Sequence, residues 1–162
     1  MDKTYDNYTF FWSGPFSQWY KSSFVINGVK FNCAEQFMMY SKAMLFGDTQ
    51  TADKIMRTSN PKEQKKLGRQ VENFNSIIWD NIAKLLVYQG NMAKFTQDMI
   101  LHEILLATGN TLLVEASPLD AIWGIGLDEV AAKSMSPAEW PGSNFLGEAI
   151  TQVREDLKHR IY

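Results

Sequence analysis

At Phe31 the hydrophobic period of the chain changes from two to about 3.6, and this switch limits the fold more than any other feature. Upstream, "FVINGVKF" sets Asn27 and Gly28 between two alternating β-rich segments, the pattern of a two-residue hairpin. Further strands are expected at "YTFFW", near the start, and at "TLLVEA", after a Gly-Asn turn. Downstream of Phe31, apolar residues recur at helical spacing. Asn32, three before Glu35, fits a capping box that opens a helix running to about Phe46, before Gly47. A short helix over 49–57 follows. Asn60, Pro61 and Glu63 then mark the start of a third, with Gly68 near its end. Residues 76–88 carry Ile78, Ile82, Leu85 and Leu86 at amphipathic spacing, and Gly90 is expected to interrupt. Another helix over about 91–107 is expected to turn Met92, Phe95, Met99 and Leu106 inward, and a last one to cover about 145–160. No repeat or linker divides the 162 residues, so the chain reads as one helix-rich α+β domain, 1–162, with a small antiparallel sheet.

Net charge of −2 argues against broad, non-specific nucleic-acid binding and leaves room only for a local basic patch. The single Cys33 excludes an internal disulfide, and it reads either as a buried inert thiol or as a nucleophile. His102 and His159, the only histidines, lie far apart without metal-ligand spacing, so no metal is expected. The N-terminus lacks the basic start and apolar run of a signal peptide, and no window approaches the roughly 18 apolar residues of a membrane span. The expected location is the cytoplasm.

Within the helix that follows Phe31, seven positions separate Glu35 from Lys42, which returns them to almost the same face two turns apart. Met38, Met39 and Leu45 share that stripe, so two opposite charges ride an apolar ridge. Glu35 reads as a capping glutamate or as a base stabilised by the helix N-terminus. Lys42 reads as a snorkelling amine or as a desolvated nucleophile toward a carbonyl or sugar aldehyde.

Three other segments carry chemistry. In "EASPLDAIWGIG", Glu115 and Asp120 bracket a Ser-Pro turn. Trp123 offers a flat face there, and Gly124 and Gly126 let backbone approach a ligand; an aromatic plug in a turn is the other reading. Lys54, Arg57, Lys62, Lys65, Lys66 and Arg69 form a basic run, either a solvated face or a phosphate grip centred on Arg69 beside Gly68. Asn144, at the start of the last helix, either caps it or marks backbone N–H groups that hold an anion. Together these residues describe a substrate with phosphate, ring and reactive carbon.

From about Phe10 to Leu157 the chain resembles the YbiA-like, or NADAR, N-glycosidases. The pieces that carry the likeness are "AEQFMMYSKAMLFGD", "SNPKEQKKLGR", "NMAKFTQD", "LLATGNTLLVEASPLDAIWGIG" and "NFLGEAITQVRE", in order and at family spacing. The resemblance implies cleavage of the N-glycosidic bond of a ribosylated base. The implied substrate is a phosphorylated ribosyl small molecule of the riboflavin pathway, or ADP-ribosylated guanine in a nucleotide or nucleic acid. A non-catalytic binder of ADP-ribose or NAD is the alternative. By motif position Glu35, Lys42 and Asp120 are the implied catalytic residues, and Trp123, Gly124, Arg69 and Asn144 the implied substrate contacts. No cofactor is implied. Two positions depart from the pattern: "SQW", ending at Trp19, replaces Ser-Asn-Phe, and Gln36 stands where His is frequent. These bear on the leaving base, and Trp19 is counted among the substrate contacts for that reason. A carboxylate stabilises the charge that builds on the anomeric carbon, and an amine at Lys42 either protonates the leaving group or forms a Schiff base.

Overall fold

The change of period at Phe31 is where strands give way to helices. In chain order the elements are β1 (Tyr8–Phe11), β2 (Phe24–Ile26), β3 (Val29–Phe31), α1 (Ala34–Leu45), α2 (Thr49–Arg57), α3 (Pro61–Gly68), α4 (Ser76–Thr96), α5 (Met99–Leu106), β4 (Leu112–Glu115), α6 (Glu129–Lys133), a 3₁₀ turn (Pro137–Glu139) and α7 (Phe145–Lys158). The computed structural model describes residues 5–160, so both ends of the expected 1–162 span lie outside the described residues. The chain forms two compact units, one from the residues up to Ser17 together with those from Glu103 on, the other Gln18–His102.

In the Gln18–His102 unit, β2 and β3 form the expected antiparallel hairpin, with Phe24 opposite Phe31. Asn27 and Gly28 both take positive φ, 50° and 78°, as a tight hairpin turn requires. Phe24, Phe31 and Phe37 pack together with Ala93 as a core, and the Phe31 and Phe37 rings meet edge to face at 5.1 Å. Burying each such ring is worth roughly 1.5–3 kcal/mol relative to exposure. The expected break at Gly90 does not occur: α4 runs through it to Thr96. The glycine serves close approach instead, since a Cβ there would lie 2.7 Å from the Phe37 ring of α1. The second helix expected over 91–107 is therefore the end of α4 plus α5, and Met99, expected inside, is 84 % exposed.

The other unit is organised by β1 and β4, which pair in parallel from Tyr8 opposite Leu112 to Phe11 opposite Glu115. Val114, Ala116, Ile125 and Ala132 form its core, with Tyr8, Phe10 and Trp140 packed against it. The helix-rich α+β class thus holds. Among the described residues its strands are one antiparallel and one parallel pair.

Candidate active site

The start of α1 decides what Glu35 is free to do. The helix opens one residue later than the capping box predicts: Cys33 is the N-cap, its Sγ accepting from the Gln36 N–H at 3.4 Å. Gln36, the third helical residue, reaches back past the cap, its Oε1 accepting from the Asn32 N–H at 2.8 Å. Glu35 is therefore the second residue of the helix and not the third, where a capping-box side chain stands. Its carboxylate is buried at the positive end of the helix, and its own N–H donates to Gln18 O at 3.0 Å. Cys33 Sγ also donates to Gln64 Oε1 at 3.1 Å, and burial pushes the thiol up to about 11, which leaves it protonated and inert.

Two turns on, Lys42 is half-buried. Burial lowers its pKa below the ordinary lysine value; the Glu35 carboxylate opposes that shift and the Arg69 guanidinium adds to it. These three sequence-predicted residues therefore share one electrostatic neighbourhood. Arg69 reaches it because α3 lies tight on α1: a Cβ on Gly68 would fall 2.0 Å from the Met39 thioether. The rest of the basic run lies mostly in solvent, the solvated-face reading. Two aromatic rings complete the surroundings. Lys42 Nζ stands 4.6 Å from the Phe74 centroid and 5.6 Å from that of Trp79. Trp79 is buried, whereas Phe74 is 45 % exposed and packs edge to face on Phe46 at 5.4 Å. Neither ring stands out in the sequence. An aromatic just past the basic run was the only signal available.

A second amine, equally inconspicuous in the sequence, is buried in α4. Lys94 of α4 is 1 % exposed, with Nζ 4.9 Å from the Phe95 ring and 5.7 Å from that of Tyr20. Burial brings its pKa down to about 7, opposed by Cys33. One turn before it, Asn91 is fully buried and donates to Gln18 Oε1 at 2.9 Å and to Val87 O at 2.8 Å. Gln18 thus links Asn91 to the Glu35 backbone. Trp19, next along, is 43 % exposed. A cleft of about 560 Å³ in the same unit is lined by Lys21, Lys30, Asn32, Gln36 and Asp98, and none of the predicted site residues lines it. Its Asn32 and Gln36 amides are spent on Thr58 O, Ile55 O and Gln64.

In the other unit the predicted residues cluster around the loop after β4. Asp120 Oδ1 accepts from the N–H groups of Ile122 and Trp123, both at 2.9 Å, which fixes the turn. Trp123 is half-buried against Phe145, centroids 6.0 Å apart. Gly124 is buried where a Cβ would lie 2.8 Å from Glu115 O, and its own O accepts from the Asn144 N–H at 3.0 Å. Asn144 takes the left-handed conformation at the start of α7, and its side chain does not cap that helix. Its Oδ1 accepts from Glu115 N–H and its Nδ2 donates to Leu113 O, both at 3.0 Å. It splices the loop to β4.

Among the described residues no group of His, Cys, Asp and Glu is arranged to hold a metal ion, and no helix is long and apolar enough to cross a membrane.

The chain is similar to several known proteins. The NADAR domain profile matches residues 10–158. The N-glycosidase R617 of Acanthamoeba polyphaga mimivirus is 46 % identical over 146 residues, covering 87 % of this chain and 86 % of that one. A riboflavin biosynthesis protein of Vibrio vulnificus is 29 % identical over 90 % of this chain, which spans 36 % of that longer protein. The solution structure of Escherichia coli YbiA superposes with a TM-score of 0.78 at 25 % identity, covering 99 % of this chain and 92 % of that one.

Proposed function

The chain belongs to the NADAR family and is an N-glycosidase, and on that premise we propose that it hydrolyses the bond between a ribosyl anomeric carbon and a base nitrogen through Lys42. The substrate is a phosphorylated ribosyl compound, either a riboflavin-pathway intermediate or ADP-ribosyl-guanine, and the enzyme works in the cytoplasm. One observation carries the assignment: a half-buried amine whose proton burial disfavours, coupled to a buried carboxylate and bordered by a guanidinium and an exposed aromatic face.

The steps follow from that setting. Neutral Lys42 Nζ bonds to the anomeric carbon as the carbon–nitrogen bond to the base breaks, and the base nitrogen leaves with a proton from Nζ. A second proton passes from Nζ to the ring oxygen, which opens the sugar to a Schiff base. Water then adds to the same carbon and releases the aldehyde sugar and the free amine. Glu35 stabilises the positive charge on the anomeric carbon in the first step and deprotonates the water in the last. Arg69 holds phosphate as a fork-shaped donor. In the other unit, Asp120 fixes the turn that carries Trp123, and Asn144 and Gly124 hold the loop after β4.

The test is incubation with ADP-ribosylated guanosine, NAD and a ribosylaminopyrimidine phosphate, with borohydride added during turnover. Release of base and a reduced sugar adduct on Lys42 are expected. Binding without release from every compound would favour a non-catalytic ADP-ribose or NAD binder, and release without an adduct would remove the Schiff base.

A further inference from the structure

Asp48 sits where three elements meet. Its N–H donates to Ala43 O at 2.9 Å, one residue beyond Lys42, which ties it to the end of α1. Its Oδ1 accepts from the Thr51 N–H at 3.0 Å and so caps α2. Its Oδ2 accepts from the Thr51 hydroxyl at 2.6 Å and from the Glu72 N–H at 3.0 Å. A helix cap needs only the first oxygen. The second reaches a backbone donor 24 positions on, in the connection between α3 and α4. Glu72 lies between Arg69 and Phe74, the two residues this connection brings to Lys42.

We propose that Asp48 is a positioning residue for the reaction, its carboxylate tying the Arg69–Phe74 connection to the end of α1 and so fixing the guanidinium and the aromatic face beside Lys42. The inference rests on Lys42 as the reacting amine. A buried carboxylate with three donors is a stiff anchor, because each bond to a charged acceptor is stronger than one between neutral groups. The Glu72 N–H, then the two Thr51 donors, hold its pKa below the usual carboxylate value, so it stays charged through the neutral range. The charged groups acting on Lys42 are Glu35 from α1 and Arg69 from the end of α3, while α4 presents the Trp79 ring; Lys54 of α2 acts on Asp48. Loosening the connection removes Arg69 and the cover of Phe74 together, which returns Lys42 toward an ordinary, protonated lysine.

The experiment compares the wild-type chain with Asp48→Asn and Asp48→Ala. Asparagine keeps one acceptor oxygen, enough for the α2 cap, and turns the other acceptor into a donor. Acylation of Lys42 by acetic anhydride is followed across pH by peptide mass spectrometry, beside kcat and KM for base release. Expected for both variants is a Lys42 reactivity midpoint displaced to higher pH, with kcat lower by on the order of ten- to a hundredfold, the scale of a small misplacement of reacting groups. An unchanged Lys42 midpoint in Asp48→Asn overturns the proposal, whatever happens to stability; should Asp48→Ala not fold, Asp48→Asn decides. A displaced midpoint in a protein whose wild type releases no base from any ribosylated compound sustains the positioning role and removes the reading of the reaction instead.

Discussion

Lys42 and Lys94 lie in the same unit, and burial pushes both toward the neutral amine. They differ in what else surrounds them. Lys42 is half-buried, feels a carboxylate and a guanidinium, and stands over a ring that is nearly half exposed. Lys94 is sealed at 1 % exposure between Tyr20 and Phe95. A depressed pKa marks a nucleophile only where a substrate can reach the nitrogen. On the proposed reaction the half-buried amine does the chemistry and the enclosed one belongs to the architecture, although the enclosed one has the more usual signature of a reactive lysine.

Removing each amine in turn tests the difference most severely. Lys42→Ala is expected to lower kcat/KM for base release by about three orders of magnitude or more and to abolish the borohydride adduct, the scale of losing a covalent nucleophile. Lys94→Met is expected to retain the adduct on Lys42. An adduct that maps to Lys94, or full turnover by Lys42→Ala, would reverse the assignment. Glu35→Gln comes next, with a drop of about 10²–10³ in kcat and little change in the midpoint of unfolding, because the cap of α1 belongs to Cys33 and Gln36.

The nearness of Glu35 and Lys42, on which the proposed site rests, was legible because both sit on one helix, where spacing alone fixes their relation: i and i+7 share a face in any α-helix. The hairpin was legible for the same local reason, since Asn27-Gly28 admits few turn types. What escaped depends on contacts between distant segments. Asn32 looked like the cap, but Gln64, 31 residues beyond Cys33, accepts the thiol's proton while that sulfur serves the helix. Gly90 looked like a break because the ring of Phe37 that demands it is 53 positions away in sequence, at residue 37 against residue 90. β1 and β4 each looked like short strands, yet their parallel register joins Tyr8 to Leu112, and no local pattern encodes such a pairing. Phe74 and Lys94 were missed on the same ground: one lies in a connection and one inside an apolar helix, and only packing turns the first into a neighbour of the Lys42 amine and the second into a sealed amine.

The enclosed amine makes its own prediction through stability. An unfolded lysine titrates near 10.4, whereas folded Lys94 titrates at about 7. Below pH 7 both states carry the proton and the fold bears the full cost of burying it. Between the two values the unfolded state holds a proton that the folded state has shed, so this group's contribution to stability rises with pH until both are neutral. Lys94→Met lacks that term. The variant is expected to gain on the wild type by roughly 3–5 kcal/mol at pH 6, with the advantage shrinking toward pH 10. Urea unfolding at pH 6, 8 and 10 measures it, and a difference that stays flat across that range would show that Lys94 keeps its proton.

Phe74→Ala is the mildest probe and the one that separates the two amines most cleanly. The ring lies 4.6 Å from Lys42 Nζ, and it is far less buried than Trp79. Removing it lets water reach Nζ, which weakens the desolvation that favours the neutral amine, so the rising limb of kcat/KM with pH is expected to move upward. It also removes a stacking face for the departing base, worth about 1–3 kcal/mol per base where measured by alanine substitution. The rate at pH 7 is expected to fall several-fold to tenfold, while the Lys94-dependent slope of stability with pH stays as in the wild type. A Phe74→Ala enzyme with an unshifted pH profile would mean that depth in the protein alone, and not this ring, sets the state of Lys42, and the distinction between a covered amine and a sealed one would lose its physical basis.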